Sequence, residues 1–248
     1  MKLKIMTYNI ASGREMGINN DKISVIPMAE TIKDYMPDIL GLNEVRGENC
    51  EFTQQEKEIA AVLGYKYSFF APAIEINGGG YGNALISKHP IENAKIIEVP
   101  DAPDKTPGIP YEQKEDGTYY ETRCILKATV LVDDEKLDVF VTHFGLADVE
   151  KKNMMDTLTA EFSKSENRKI LMGDFNCTPD DEYMKELSDI LKNIEPEKVT
   201  EDFYTYASYK PDRKIDYIMV DKSFKVGKFG VINSKASDHR PYFAEIEI

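Results

Sequence analysis

Residues 169–181 read KILMGDFNCTPDD. An apolar run climbs to Met172, breaks at Gly173, and leaves a carboxylate at Asp174 and an amide at Asn176. The start of the segment reads as a strand and its end as a helix beginning, so it is a strand-to-helix step. Thr178 as cap, Pro179 in the first turn and an acidic third position at Asp181 predict a helix over 178–193. That leaves Asp174 and Asn176 surplus to the cap. They belong either to turn chemistry, for which Asp and Asn are preferred, or to a site. If the strand runs on to residue 176, both side chains share one face. One is then an acceptor only, while the other offers donor and acceptor. Such a pair can hold a hard metal or a water and donate to a phosphate oxygen.

Working outward, apolar alternation predicts strands over 3–10, 38–45, 66–71, 83–88, 94–99, 123–133, 136–143, 214–221, 225–233 and 241–248. Helical spacing predicts helices over 24–36, 53–63 and 148–164, the second stopping at Gly64. Strands outnumber the crossovers that a wholly parallel sheet uses, so two packed sheets with helices outside fit better than one doubly wound sheet. No internal repeat, low-complexity tract or linker interrupts the pattern, and residues 1–248 read as a single domain of α/β (α+β) class. Residues 100–120 hold four prolines and two glycines. A segment this long without a pattern is either a functional lid or a disordered insertion.

The chain has 248 residues with 42% hydrophobic and 30% charged side chains, which excludes a disordered polymer. No apolar run approaches the roughly 18 residues that span a bilayer, and no membrane span is expected. The N-terminal MKLKIMTYNI alternates like a strand and lacks the apolar core of a signal peptide. Cys50, Cys124 and Cys177 are odd in number and widely spaced, which argues against a disulfide framework or zinc knuckle and for a reducing, cytoplasmic setting. Forty-four acids against 31 bases give a net charge of −13, which disfavours long nucleic acid. A small phosphorylated substrate feels far less of that global field. A monomer is expected.

Polar residues recur at predicted strand ends, where sheets expose side chains to a shared crevice. Asn9 closes the first strand, Glu44 ends ILGLNEV, and His143 ends LDVFVTHFGL. Asp216 opens IDYIMV, and Asp238 and His239 precede the last strand. Neighbours in extended chain point to opposite faces, so Asp238 is not expected to serve His239 directly. Only three histidines exist, and two of them sit beside these acids.

In order, TYNI, LNEV, YGNALISKHPI, VFVTHFGL, LMGDFNCTP, IDYIMV and SDHRPYFAEI resemble the motifs of the endonuclease/exonuclease/phosphatase superfamily, from residue 5 to residue 246. The GDFN and SDHRP pair is the specific part. The resemblance implies a four-layer α/β/β/α sandwich of two mixed sheets and a metal-dependent phosphoesterase. It implies Glu44 as principal metal ligand with Asn9 beside it, and Asp174 orienting or deprotonating the attacking water. Asn176 would donate to the phosphate, with His143 and His239 contacting the phosphoryl oxygens. Asp216 would orient a histidine or assist a metal, and Asp238 would be a metal-side carboxylate or a histidine's partner. Asn83 and Arg123 are implied as substrate contacts. One departure is Ala11, where apurinic endonucleases carry an acid, which counts against DNA repair.

The chemistry asks for these residue types. Phosphoester hydrolysis needs an aligned water, a Lewis acid and donors for developing charge. If Glu44, Asp174, Asp216 and Asp238 face one cleft, each like-charged pair at ~4 Å costs about 4 kcal/mol at an effective dielectric of 20. A dication relieves that repulsion, and oxygen-rich ligands favour Mg²⁺ or Mn²⁺ over zinc. The expectation is a hydrolase of small or lipid-derived phosphate esters. The alternatives are a nuclease on short or single-stranded nucleic acid, a membrane-surface phospholipase, and a non-catalytic binding module.

Overall fold

A computed structural model of the chain describes residues 1–14 and 23–248. The apolar runs form strands β1 (Lys2–Asn9), β2 (Ile39–Arg46), β3 (Tyr67–Ile76), β4 (Gly79–Ser87) and β5 (Ile91–Glu98). A short hairpin follows, β6 (Tyr111–Gln113) and β7 (Tyr119–Glu121), then β8 (Cys124–Val132), β9 (Glu135–His143) and β10 (Arg168–Asp174). The chain closes with β11 (Lys192–Asn193), β12 (Asp216–Val220), β13 (Lys225–Val231) and β14 (Tyr242–Glu247). The helices are α1 (Ile26–Tyr35), α2 (Gln55–Leu63), α3 (Asp148–Ser163) and α4 (Glu182–Ile190).

Two six-stranded sheets result, ordered β13-β14-β1-β2-β4-β3 and β11-β12-β10-β9-β8-β5. Each is mixed: β1 runs parallel to β2 and β9 parallel to β10, with antiparallel pairing elsewhere. Three apolar layers hold the stack. One lies between the sheets, with Leu3, Ile5, Leu126, Val139, Ile170 and Ile218. A second joins the β10 sheet to α3 and α4 through Leu158, Phe162, Leu171 and Leu187. A third joins the β1 sheet to α1 and α2 through Met28, Ile32, Ile59 and Leu40. The architecture is the four-layer α/β/β/α sandwich. No helix of the described residues is long and apolar enough to cross a membrane.

Two expectations change. Helix α4 begins at Glu182, and its cap is Asp181, whose carboxylate accepts from Tyr183 N at 3.1 Å. Thr178 instead bonds Asp180 at 2.6 Å, because residues 178–181 close a turn before the helix, with Asp181 N on Thr178 O. Residues 100–120 are not a disordered insertion. They carry β6 and part of β7, whose Tyr111 and Tyr119 rings stack at 6.4 Å, and the buried Lys105 ammonium ties the segment to Asp101 and to the Ile109 carbonyl.

Candidate active site

The carboxyl ends of both parallel strand pairs meet at one edge of the sandwich. Asn9 ends β1, His143 ends β9 and Asp174 ends β10. In register, Asp174 lies beside His143 on β9 and opposite Asp216 on β12. Glu44 is not at a strand end: β2 runs on to Arg46, and a bulge between Leu42 and Val45 puts Glu44 at φ 56°. Bulges re-aim side chains beside active sites, and left-handed backbone at a non-glycine residue costs roughly 1–3 kcal/mol. Gly173 permits the close approach behind Asp174. A Cβ there would meet the Thr142 carbonyl oxygen at 1.9 Å, with φ at 148°.

Buried amides lock the two sheets together at this edge. Asn43 Nδ2 donates to Asn83 Oδ1 and to the Thr142 carbonyl, both at 2.7 Å, and Asn43 Oδ1 accepts from Asp174 N at 3.0 Å. Asn83 Nδ2 in turn donates to the Cys124 carbonyl at 3.0 Å. Both ends of the buried Asn83 amide are used between the sheets. Asn43, on the strand of Glu44, sets where Asp174 stands relative to that carboxylate.

Asn9 is held by three hydrogen bonds. Its Oδ1 accepts from Ala11 N at 3.1 Å, and its Nδ2 donates to Glu44 Oε1 at 3.0 Å and Asp174 Oδ2 at 3.1 Å. Flipping the amide would face its oxygen to two carboxylates, so the orientation is determined. Asn9 thus bridges Glu44 and Asp174 through its Nδ2, while its Oδ1 accepts one backbone N–H.

Two imidazoles flank Asp174. His239 Nδ1 lies 2.9 Å from Asp216 Oδ2, and its Nε2 lies 3.5 Å from Asp174 Oδ2. Burial by itself lowers the His239 pKa, but the carboxylates of Asp216 and Asp174 outweigh it and push it up to about 10. The partner of His239 is Asp216, not Asp238, and the ring is an imidazolium between two acids. His143 Nε2 also lies 3.5 Å from Asp174 Oδ2. Its Nδ1 is 3.1 Å from Arg123 Nη1, a group that only donates, so Nε2 carries the proton. Burial, then the Arg123 charge, hold His143 well below the usual histidine range and neutral. Burial first, with Asp216 adding, pushes the Asp174 carboxyl up to about 7.

Asn176 is set by a turn, not by strand alternation. The strand stops at Asp174 and Asn176 adopts φ 46°. Its N–H bonds Asp174 Oδ1 and its Nδ2 donates to the Phe144 carbonyl, both at 2.9 Å, while the residue still lines the cavity. That cavity, about 430 Å³, also takes in Glu44, Arg123, His143, Asp174, Asp238 and His239.

The donor set fits a hard cation. Burial pushes the carboxyls of Asp238 and Glu121 up, and the charge of Glu44 adds to both. Glu44 and Asp238 share the cavity wall with no cation of the described residues paired to them. Asp174, Asp216 and His239 also bring ligand atoms within 4.8 Å of one another.

Several contributors were missed by sequence reasoning. Asn43 had only its place in LNEV. Glu121 lies two residues before Arg123, whose Nη1 it holds at 2.5 Å. Tyr206 packs its ring 4.9 Å from that of His239. Lys214 is buried over the Tyr217 ring, donates to the Asp216 carbonyl at 2.9 Å, and is pushed by burial down to about 7.

The model of a protein family described as the endonuclease/exonuclease/phosphatase family matches residues 6–239. Comparison with curated proteins gives no match. Among solved structures, an endonuclease/exonuclease/phosphatase from Beutenbergia cavernae superposes with a TM-score of 0.80 at 21% identity, covering 100% of this chain and 72% of that one. The mannosyl-6-phosphatase Bt3783 of Bacteroides thetaiotaomicron gives 0.75 at 16% identity, covering 99% and 100%. ANGEL2, a 2',3'-cyclic phosphatase, gives 0.73 at 14% identity, covering 99% and 95%.

Proposed function

Because this chain belongs to the endonuclease/exonuclease/phosphatase family, we propose that it is a Mg²⁺- or Mn²⁺-dependent hydrolase of small or lipid-derived phosphate esters. The observation that carries the reading is the placement of Asp174 Oδ2 between two imidazole Nε2 atoms, each at 3.5 Å. That spacing exceeds hydrogen-bond length, so an oxygen settling among the three groups meets two N–H donors and one acceptor.

Asp174, pushed up to about 7, has the basicity suited to taking a proton from an attacking water near neutral pH. The Asn9 amide and the Asn176 N–H hold its carboxylate in place. His239, as imidazolium, and neutral His143 donate to the phosphoryl oxygens as charge develops there. Asp216 keeps His239 charged, and Arg123 keeps the proton of His143 on Nε2. Glu44 and Asp238 would hold the dication, which supplies Lewis-acid neutralisation of the phosphate when bound. The acidic rim of Glu44, Glu121 and Asp238, with the net charge of −13, supports a small substrate over a long polyanion. The chain is proposed to act as a cytoplasmic, single-domain monomer.

The test is turnover of a phosphodiester and a phosphomonoester reporter with Mg²⁺ or Mn²⁺. Asp174→Ala and His239→Ala are each expected to lower kcat by at least ~10², and chelation to abolish activity until metal is returned. Near-unchanged turnover in either variant removes its assigned role, and activity surviving exhaustive chelation removes the metal.

A further inference from the structure

Beside the catalytic cavity lies a second one of about 500 Å³. Both are walled by Glu44, Tyr81, Tyr119, Glu121 and Asp238, so they are two lobes of one cleft that divide at the acidic rim. The second lobe contains none of Asp174, His143 or His239. It carries two guanidinium groups, Arg14 and Arg46, the latter at the end of β2 and two residues beyond Glu44.

Arg46 is built into place. Its guanidinium lies 4.6 Å from the Tyr81 ring centroid and 5.1 Å from that of Phe52. Its Nε donates to Ser12 Oγ at 3.2 Å. Gln55 fixes the surroundings, accepting from Arg46 N at 2.8 Å and donating to the Ser12 carbonyl at 2.7 Å. Stacking and one Nε bond immobilise the plane but leave the two terminal nitrogens without a protein acceptor among the described residues. Arg46 forms no ion pair among those residues, whereas Arg123 in the catalytic lobe is held by Glu121. A guanidinium placed over two rings, with its terminal nitrogens unclaimed by the described residues, presents a fork that matches a carboxylate or phosphate bidentately. The β6–β7 hairpin adds Tyr111 and Tyr119 to the lining of the same lobe.

We infer that the second lobe receives the leaving group of the substrate, and that this group carries a second anion, a carboxylate or a phosphate, bound by Arg46. The substrate class is thus a small phosphate ester with two anionic groups on a ring or short carbon skeleton. The skeleton lies against Tyr81 and Tyr119 while the scissile phosphate occupies the catalytic lobe. This inference rests on the hydrolase reading for the direction of the substrate. Pre-fixing the arginine spares the entropy of ordering it, so the second anion contributes to selection rather than only to affinity.

The test uses pairs that differ only in a second anion: sorbitol 6-phosphate against 6-phosphogluconate, and fructose 6-phosphate against fructose 1,6-bisphosphate. Binding is measured by calorimetry with Mg²⁺ on the full-length Asp174→Asn variant, which suppresses turnover. The two-anion member is expected to bind at least ~10-fold more tightly in at least one pair, the scale of one charged bidentate contact. Adding Arg46→Gln is expected to bring that ratio close to one, and Arg46→Lys to restore it only in part. Equal binding within both pairs, no binding of any member, or a preference that survives Arg46→Gln overturns the inference. Reporter hydrolysis by the unsubstituted enzyme separates the two proposals. A chain that selects the two-anion ligands yet hydrolyses no phosphate ester keeps the anion subsite and loses the hydrolase reading.

Discussion

Replacing Asp216 by Asn isolates the contact that makes His239 a cation. The substitution keeps the shape of the side chain and removes its charge. The pair is 2.9 Å long and buried, and Asp216 is the foremost influence raising the His239 pKa from 6.5 to about 10. That elevation corresponds to about 5 kcal/mol, each pKa unit being worth about 1.4 kcal/mol. Asp174 also contributes but stands farther away, at 3.5 Å. Loss of Asp216 should therefore remove at least half, about 2.5 kcal/mol, and bring the His239 titration to about 8 or below. The assay is NMR of the imidazole resonances across pH 5–11 in a chelator. With only three histidines, His89→Gln and His143→Gln assign the spectrum. In the variant, turnover at pH 9 relative to pH 7 should fall, since the charged donor is lost over that interval. A His239 titration that stays near 10 in Asp216→Asn refutes the reasoning.

Asn43→Leu removes the amide that joins the sheets and leaves Asp174 N and the Thr142 carbonyl buried without that partner. At about 1–3 kcal/mol per unsatisfied buried group, the expected loss is about 2–6 kcal/mol in urea denaturation, accompanied by loss of turnover. An unchanged midpoint contradicts the stapling role. The raised pKa of His239 makes its contribution to stability complete below about pH 6.5 and lost as the pH rises through about 10. Asp174, raised from 3.8 to about 7, acts in the same direction over that lower window. In chelator, Lys214, lowered to about 7, gains stability over the same interval in both proteins, so the expected outcome is a difference: the urea midpoint of the wild type relative to that of His239→Gln should fall between pH 6 and pH 10. Equal slopes for the two proteins count against the buried triad.

The sequence alone determined the layered class of the fold, because apolar alternation and helical spacing are local properties that each segment carries with it. It also determined that polar side chains collect where apolar runs break, since GDFN, THF, LNEV and SDHR each interrupt one. What it could not carry is which polar atom meets which. Asn9 reaches Asp174 across 165 positions of chain, and Asp216 reaches His239 across 23. Such pairings depend on sheet order, register and the bulge at Glu44, none of which has a period or a propensity. That is why no local pattern shows that Asn9 donates to both Glu44 and Asp174, or that the Asn83 amide bonds between the sheets. It is also why the open fork of Arg46 had no sequence signal: only tertiary packing brings Tyr81, Phe52 and Ser12 around it and puts it beside the acidic rim. Composition and local pattern settle which segments are buried. Through-space distances settle which groups donate, which accept, and which are left facing a ligand.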